Sequence, residues 1–170
     1  MKKLLFLVVL LVFMGCSSTQ INKNQKKDIA ICKQYYDNWE LDKLNIKIHE
    51  IKTYDIKLAA DLAKSLEERK NQKKELEILL QNMKQSIKLG HINEIEKNFQ
   101  DTIANRELMK YLKENNSFAF DIIIGKIKFY KETAKNMIGL VYLDQVIYLS
   151  VDYKLLKNNW RIKRWKLTES

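Results

Sequence analysis

Two hydrophobic periodicities divide this chain, and the point where one replaces the other constrains its fold more than any other feature. From Asp28 to Leu89 there is neither Gly nor Pro, so no residue forces a break. Within that stretch Leu41, Leu44, Ile48, Ile51, Leu58 and Leu62 recur at helical steps, as expected of an amphipathic helix with one buried face. Beyond Asn115 the period falls to two: Phe118, Phe120, Ile122 and Ile124 alternate with Ala119, Asp121 and Ile123. Helices first and an antiparallel meander second define an α+β chain with helices packed on one face of a sheet.

The helical part contains two ambiguities. Leu44, Ile46 and Ile48 alternate and could form a strand, but Ile51 keeps the helical period, which favours helix. Glu67–Glu75 (EERKNQKKE) has no apolar residue, so it is either a helix solvated on all sides or a turn into a hairpin. Leu76, Leu79, Leu80, Met83 and Ile87 form the next stripe, and Gly90 is its C-cap candidate. Short helices are expected over His91–Phe99 and Arg106–Leu112.

Four strands are expected. After Gly125 the apolar phase shifts to Ile127 and Phe129, the signature of a β-bulge. Lys135–Asn136 is read as the turn into Met137–Leu143. The run Val146–Leu156 puts Ile147, Leu149, Val151, Tyr153 and Leu155 on one face. Asn158–Asn159 is the last turn signal, before Trp160–Leu167.

Composition narrows the function classes only partly. The formal net charge is +10, compatible with anionic lipid, lipopolysaccharide, nucleic acid or acidic protein surfaces, and equally with a plain soluble surface. The two cysteines, Cys16 and Cys32, give no disulfide framework or metal-ligand spacing, and His49 and His91 lie far apart. No cofactor, metal or sequence-specific nucleic-acid partner is expected.

Met1–Ser18 (MKKLLFLVVLLVFMGCSS) joins a basic start at Lys2 and Lys3 to the apolar run Leu4–Met14, closed by Gly15–Cys16. This is the layout of an export signal, too short to span a bilayer. A small residue followed by Cys at the end of the run resembles the lipobox of bacterial lipoproteins, with Phe13 where Leu is commonest and Met14 where a small residue is commoner. The resemblance implies cleavage before Cys16 and acylation of Cys16, and hence a membrane partner through its acyl chains. Ser17 implies outer-membrane sorting in a two-membrane cell. The expected organisation is a signal peptide over 1–15, a lipidated tether over 16–27, a helical extension over 28–74 and an α+β domain over 75–170.

A second resemblance rests on the helix running to Leu89–Gly90, the short helix His91–Phe99, and antiparallel strands ending in Asn159–Trp160–Arg161–Ile162. Together they are similar to the nuclear-transport-factor-2-like (cystatin-like) superfamily, which implies a curved four-stranded sheet wrapping a helix around an apolar cone. An enzyme of that fold needs an acid–base pair in the cone. The candidate polar groups are Asp121 and Tyr142, with Tyr130 and Tyr148 as further tyrosines. Strict alternation instead turns Asp121 to solvent.

On the last strand Arg161, Lys163, Arg164 and Lys166 interleave with Trp160 and Trp165. They form either a polyanion-binding surface or a protected sheet edge. The stripe Leu58, Leu62 and Leu66 pairs with the chain's own helix, with an envelope partner or with a second copy. The reading that follows is a lipid-anchored envelope protein acting as a non-catalytic binding or accessory module. The alternatives are a surface lipoprotein for adhesion or host contact, and a ligand carrier or enzyme using the cone.

Overall fold

The computed structural model describes residues 23–115, 121–142 and 145–168. The chain forms two compact units, residues 1–31 and 32–170. Of the first, the described part is the opening of helix α1 (Lys23–Asp37). The second holds two apolar cores.

The smaller core is a helical hairpin. Leu44, Ile48 and Ile51 of α2 (Leu41–Lys52) pack with Cys32 of α1 and with Ala59 and Leu66 of α3 (Ile56–Lys88). Ile51 is 0% exposed and Ile46 is 61% exposed, so the helical period prevails over the strand alternation. Leu58, Leu62 and Leu41 pack half-buried against this same core. The leucine stripe is thus engaged by the chain's own helices. Cys32 is a buried thiol.

Helix α3 passes through Glu67–Glu75 without a break. Among these nine polar residues Arg69 and Gln72 are buried, which is why the segment neither turns nor stands in solvent on all sides. The Asp55 side chain accepts the Leu58 N–H at 2.9 Å and caps the start of α3. At its end Gly90 takes φ 73°. The N–H of His91 reaches Ser86 O and that of Gly90 reaches Ile87 O, which makes a Schellman motif. The same pair of bonds ends α1, with Glu40 N–H to Tyr35 O and Trp39 N–H to Tyr36 O. There the left-handed position, φ 60°, belongs to Trp39. A bulky residue rarely occupies that region.

Helices α4 (Ile92–Glu96) and α5 (Ile103–Glu114) follow. Thr102 caps α5 by accepting the Asn105 N–H. Then come β1 (Asp121–Ile124), β2 (Lys128–Tyr130), β3 (Thr133–Tyr142), β4 (Gln145–Leu156) and β5 (Asn159–Leu167), all antiparallel in the order β1-β3-β4-β5. β2 also pairs with β3. Because β4 occupies the other side of β3, β1 and β2 share one edge. They are the two halves of the expected first strand, interrupted where a bulge was expected.

A Cβ on Gly125 would stand 2.8 Å from the Met137 carbonyl oxygen, the same oxygen that accepts the Gly125 N–H. Glycine is therefore required at the interruption. The expected turn at Lys135–Asn136 is corrected: both residues lie inside β3, and the chain turns at Lys131–Glu132, between the paired Tyr130 and Thr133. The last hairpin turns at Lys157–Asn158, φ 49° and 69°, one residue earlier than the Asn-Asn signal. Two successive positive φ values are the type I′ geometry that matches strand twist.

The larger core lies between α3–α5 and the inner face of the sheet, with Leu76, Leu80, Met83, Ile87 and Leu112 facing Ile138, Leu149, Val151 and Tyr153. The architecture is α+β, helices followed by an open antiparallel sheet, as the change of period predicts.

Candidate functional site

The inner face of the sheet is covered by the helices. Between it and α3 and α5 remains a void of about 30 Å³, lined by apolar side chains such as Met83, Leu108, Ile122, Leu149 and Trp165. That is the volume of about one water, and an apolar void of this size stays dry. Asp121 does not line it. Its side chain is 53% exposed and pairs with Lys84 at 3.4 Å. The Ile122 N–H donated to Asp121, helped by Lys84 and Lys88, holds its carboxyl below the usual range. That is opposite to the raised pKa of a buried general base. Tyr142 packs half-buried at the margin of the core. With Asp121 opposite Val141, strand alternation puts Asp121 and Tyr142 on opposite faces. The candidate cavity pair is therefore not assembled, and Asp121 faces solvent as strict alternation turns it.

One polar pair that the fold does bury was not singled out by the sequence. Tyr153, 0% exposed, donates its hydroxyl to Asn136 Oδ1 at 2.8 Å. Burial pushes its pKa far above the ordinary tyrosine value. Asn136 Nδ2 has no partner among the described residues.

A second unforeseen arrangement joins the hairpin to the sheet. The Arg69 guanidinium lies 3.9 Å from the Tyr36 ring centroid and 4.5 Å from that of Trp39. It also donates through Nη1 to Gln72 Oε1 at 2.9 Å. Trp39 stacks on Phe129 at 4.5 Å and leans on Trp160 at 6.0 Å. The Trp39 indole N–H donates to Lys131 O and that of Trp160 to Gln72 O. Desolvation lowers the Arg69 pKa and raises that of Tyr36, against the pull of each on the other. The surrounding acids are Asp37, Glu68 and Glu132. This is a packing junction in which Arg69 Nε has no hydrogen-bond partner among the described residues.

β5 carries the four basic candidates in an irregular register. Tyr153 pairs with Ile162 and Asp152 with Arg164, so Lys163 is the extra residue of a bulge. The bulge lets Trp160, Ile162 and Trp165 all turn toward the helices although two basic residues separate the last pair. Asn105, 2% exposed, seals it by donating Nδ2 to Gln100 O, Ile162 O and Lys163 O. Arg161 donates to the Lys97 carbonyl and Arg164 to the Asp152 carboxylate. Lys163 and Lys166 are exposed. The four residues therefore divide into two arginines with structural partners and two lysines facing solvent.

The outer face of the sheet supplies what surrounds those lysines. The register aligns Ile123, Gly139 and Tyr148 in one row, Asp121, Val141 and Val146 in the next, and Met137, Ser150 and Lys166 on the other side. Ile123, Met137, Val146 and Tyr148 are 52%, 37%, 38% and 48% exposed. A Cβ on Gly139 would stand 3.1 Å from Val146 Cγ1 and 3.5 Å from both Ile123 and Tyr148, so these side chains close over a glycine. A second concavity, of about 620 Å³, is an open groove along α3 between Ala60 and Glu75 that also touches Asn158. Cys16 lies outside the described residues, as do Phe118, Phe120 and Leu143. No described helix is long and apolar enough to cross a membrane.

No family model matches the chain, and no curated protein matches it in sequence. Similar solved structures include a DUF4783 family protein from Bacteroides ovatus, 12% identical, with a TM-score of 0.43 over 52% of this chain and 92% of that one. An NTF2-like protein of unknown function from Cytophaga hutchinsonii is 11% identical, with a TM-score of 0.40 over 53% of this chain and 85% of its own. A protein of cystatin-like fold from Nostoc punctiforme is 12% identical, with a TM-score of 0.43 over 56% and 88%. At these identities the likeness concerns the fold alone.

Proposed function

We propose that this chain is a lipid-anchored cell-envelope protein, acylated at Cys16, that serves as a non-catalytic binding or accessory module at a membrane surface. The contrast between the two faces of the sheet carries the reading. The inner face is filled to a void of about 30 Å³, while the outer face presents Ile123, Met137, Val146 and Tyr148 to solvent. Binding on this protein is accordingly a surface event rather than a cavity event. The export signal and Gly15–Cys16 supply the address. Two or more acyl chains hold a protein durably where one does not.

The test is metabolic labelling of the full chain with palmitate. Label on the wild type, absent from Cys16→Ser, together with a mature amino terminus at Cys16 by mass spectrometry, is the expected result. An unlabelled wild-type chain in a cell that acylates its other lipoproteins would refute the anchor.

A further inference from the structure

Among the described residues nothing covers the outer sheet face, and its charge says what would. From Asp121 to Thr168 the sequence carries ten Lys and Arg residues against four Asp and Glu. The inner face is apolar core, so this excess lies on the outer face, its edges and its turns. Lys135 and Lys166 flank the apolar rows, Lys126 and Lys128 border them on the β1–β2 edge, and all four are exposed. Among the described residues the acids at this face are already engaged, Asp152 by Arg164 and Asp121 by Lys84.

We propose that the outer face docks on the headgroup region of an anionic phospholipid bilayer, with Ile123, Met137, Val146 and Tyr148 entering the interface. A second copy fits poorly, because two faces of the same positive sign repel when stacked. A sugar-phosphate or nucleic-acid polymer would neutralise the lysines but leave the apolar rows wet. A bilayer interface does both: its negative surface potential attracts each lysine, and tyrosine with aliphatic neighbours partitions to headgroup depth. The proposal deepens the reading above and rests on its choice of the outer face. It does not depend on the acyl anchor.

The test therefore uses residues 17–170, which keep every described element and both cores but lack Cys16. Co-sedimentation is measured with vesicles of phosphatidylcholine alone and with about 30 mol% phosphatidylglycerol, whose surface is anionic. The expected result is binding that requires phosphatidylglycerol and disappears at high salt. Lys135→Gln with Lys166→Gln should weaken it about 25-fold, roughly fivefold for each lysine at the surface. Ile123→Ser with Tyr148→Ser should also weaken it several-fold, while Lys70→Gln with Lys73→Gln on α3 leaves it within about twofold of the unsubstituted protein. Circular dichroism confirms that each variant is folded.

Absence of phosphatidylglycerol-dependent binding would overturn the proposal, as would equal loss from the α3 pair. Lysine-dependent retention on heparin, with vesicle binding indifferent to Ile123 and Tyr148, would assign the face to a polyanion instead. A dimer in sedimentation equilibrium that dissociates in the Ile123→Ser, Tyr148→Ser variant would assign it to a second copy. Both outcomes reject the lipid. Loss of palmitate labelling with vesicle binding intact would refute the anchor and leave this inference standing.

Discussion

Trp39 and Tyr153 show how single residues acquire roles that no neighbour in sequence announces. Trp39 holds a left-handed conformation, φ 60°, at the position where Schellman motifs usually place Gly. Its stacking on Phe129 and contact with Arg69 offset the backbone strain. Trp39→Ala should cost about 3–5 kcal/mol by loss of the ring. Trp39→Gly should cost about 1 kcal/mol less than that, because glycine relieves the strain. Guanidinium denaturation of both variants checks the order, and a less stable glycine variant would show that strain contributes nothing.

Tyr153 and Asn136 form a buried bond whose deletion is asymmetric. Tyr153→Phe should destabilise by about 1–3 kcal/mol, since Asn136 loses its donor, whereas adding Asn136→Val should recover part of that loss. The pH dependence follows from the direction of the shifts. Burial raises the pKa values of Tyr153 and Tyr36 in the folded state. Their contribution is thus fully present below the unfolded value of about 10 and is lost as pH rises beyond it toward the folded values. Denaturation midpoints should fall above about pH 10, less steeply in the Tyr153→Phe variant.

At the scale of elements, α3 is the long rod of the fold. Its leucines at one end complete the hairpin core and those at the other meet the sheet. The polar run between them is helical because Arg69 and Gln72 find partners in Tyr36, Trp39 and the Trp160 indole N–H. Asn71→Pro should therefore cost about 3 kcal/mol or more, by removing an i→i−4 bond and clashing in the helix interior. A turn at this place would tolerate proline, so a melting temperature near that of the wild type would contradict the continuous helix. The sheet offers a related lesson. Lys163 looks like part of an uninterrupted basic strand, yet the bulge at that residue is what lets both Trp160 and Trp165 face the helices.

For the whole molecule the consequence is a division of labour between the two sides of the sheet. One side is spent on the core, and the other, uncovered by any described residue, is basic and partly apolar. The proposed acyl anchor would act in the same direction as the proposed bilayer contact. An anchor at Cys16 would bring the outer face repeatedly to a surface it is charged to meet, raising its effective concentration there.

Periodicity alone determined the order of the elements, because a buried stripe at helical spacing and a buried alternation are local consequences of one solvated side. It located the inward residues of β4 and the Gly90 cap for the same reason: each depends on neighbours within a few positions. The change of period at Asn115 therefore predicted an α+β chain correctly. What depends on distant neighbours was decided by the tertiary structure. Glu67–Glu75 looked solvated until Tyr36, Trp39 and Trp160 were brought to it. Asp121 and Tyr142 were candidate cavity groups; alternation already turned Asp121 to solvent, and the β1–β3 register places the two on opposite faces. The turn moved from Lys135–Asn136 to Lys131–Glu132 because Asn136 is held inside by the hydroxyl of Tyr153, a residue seventeen positions away. Polar residues report their burial only through partners, and partners are chosen by the fold.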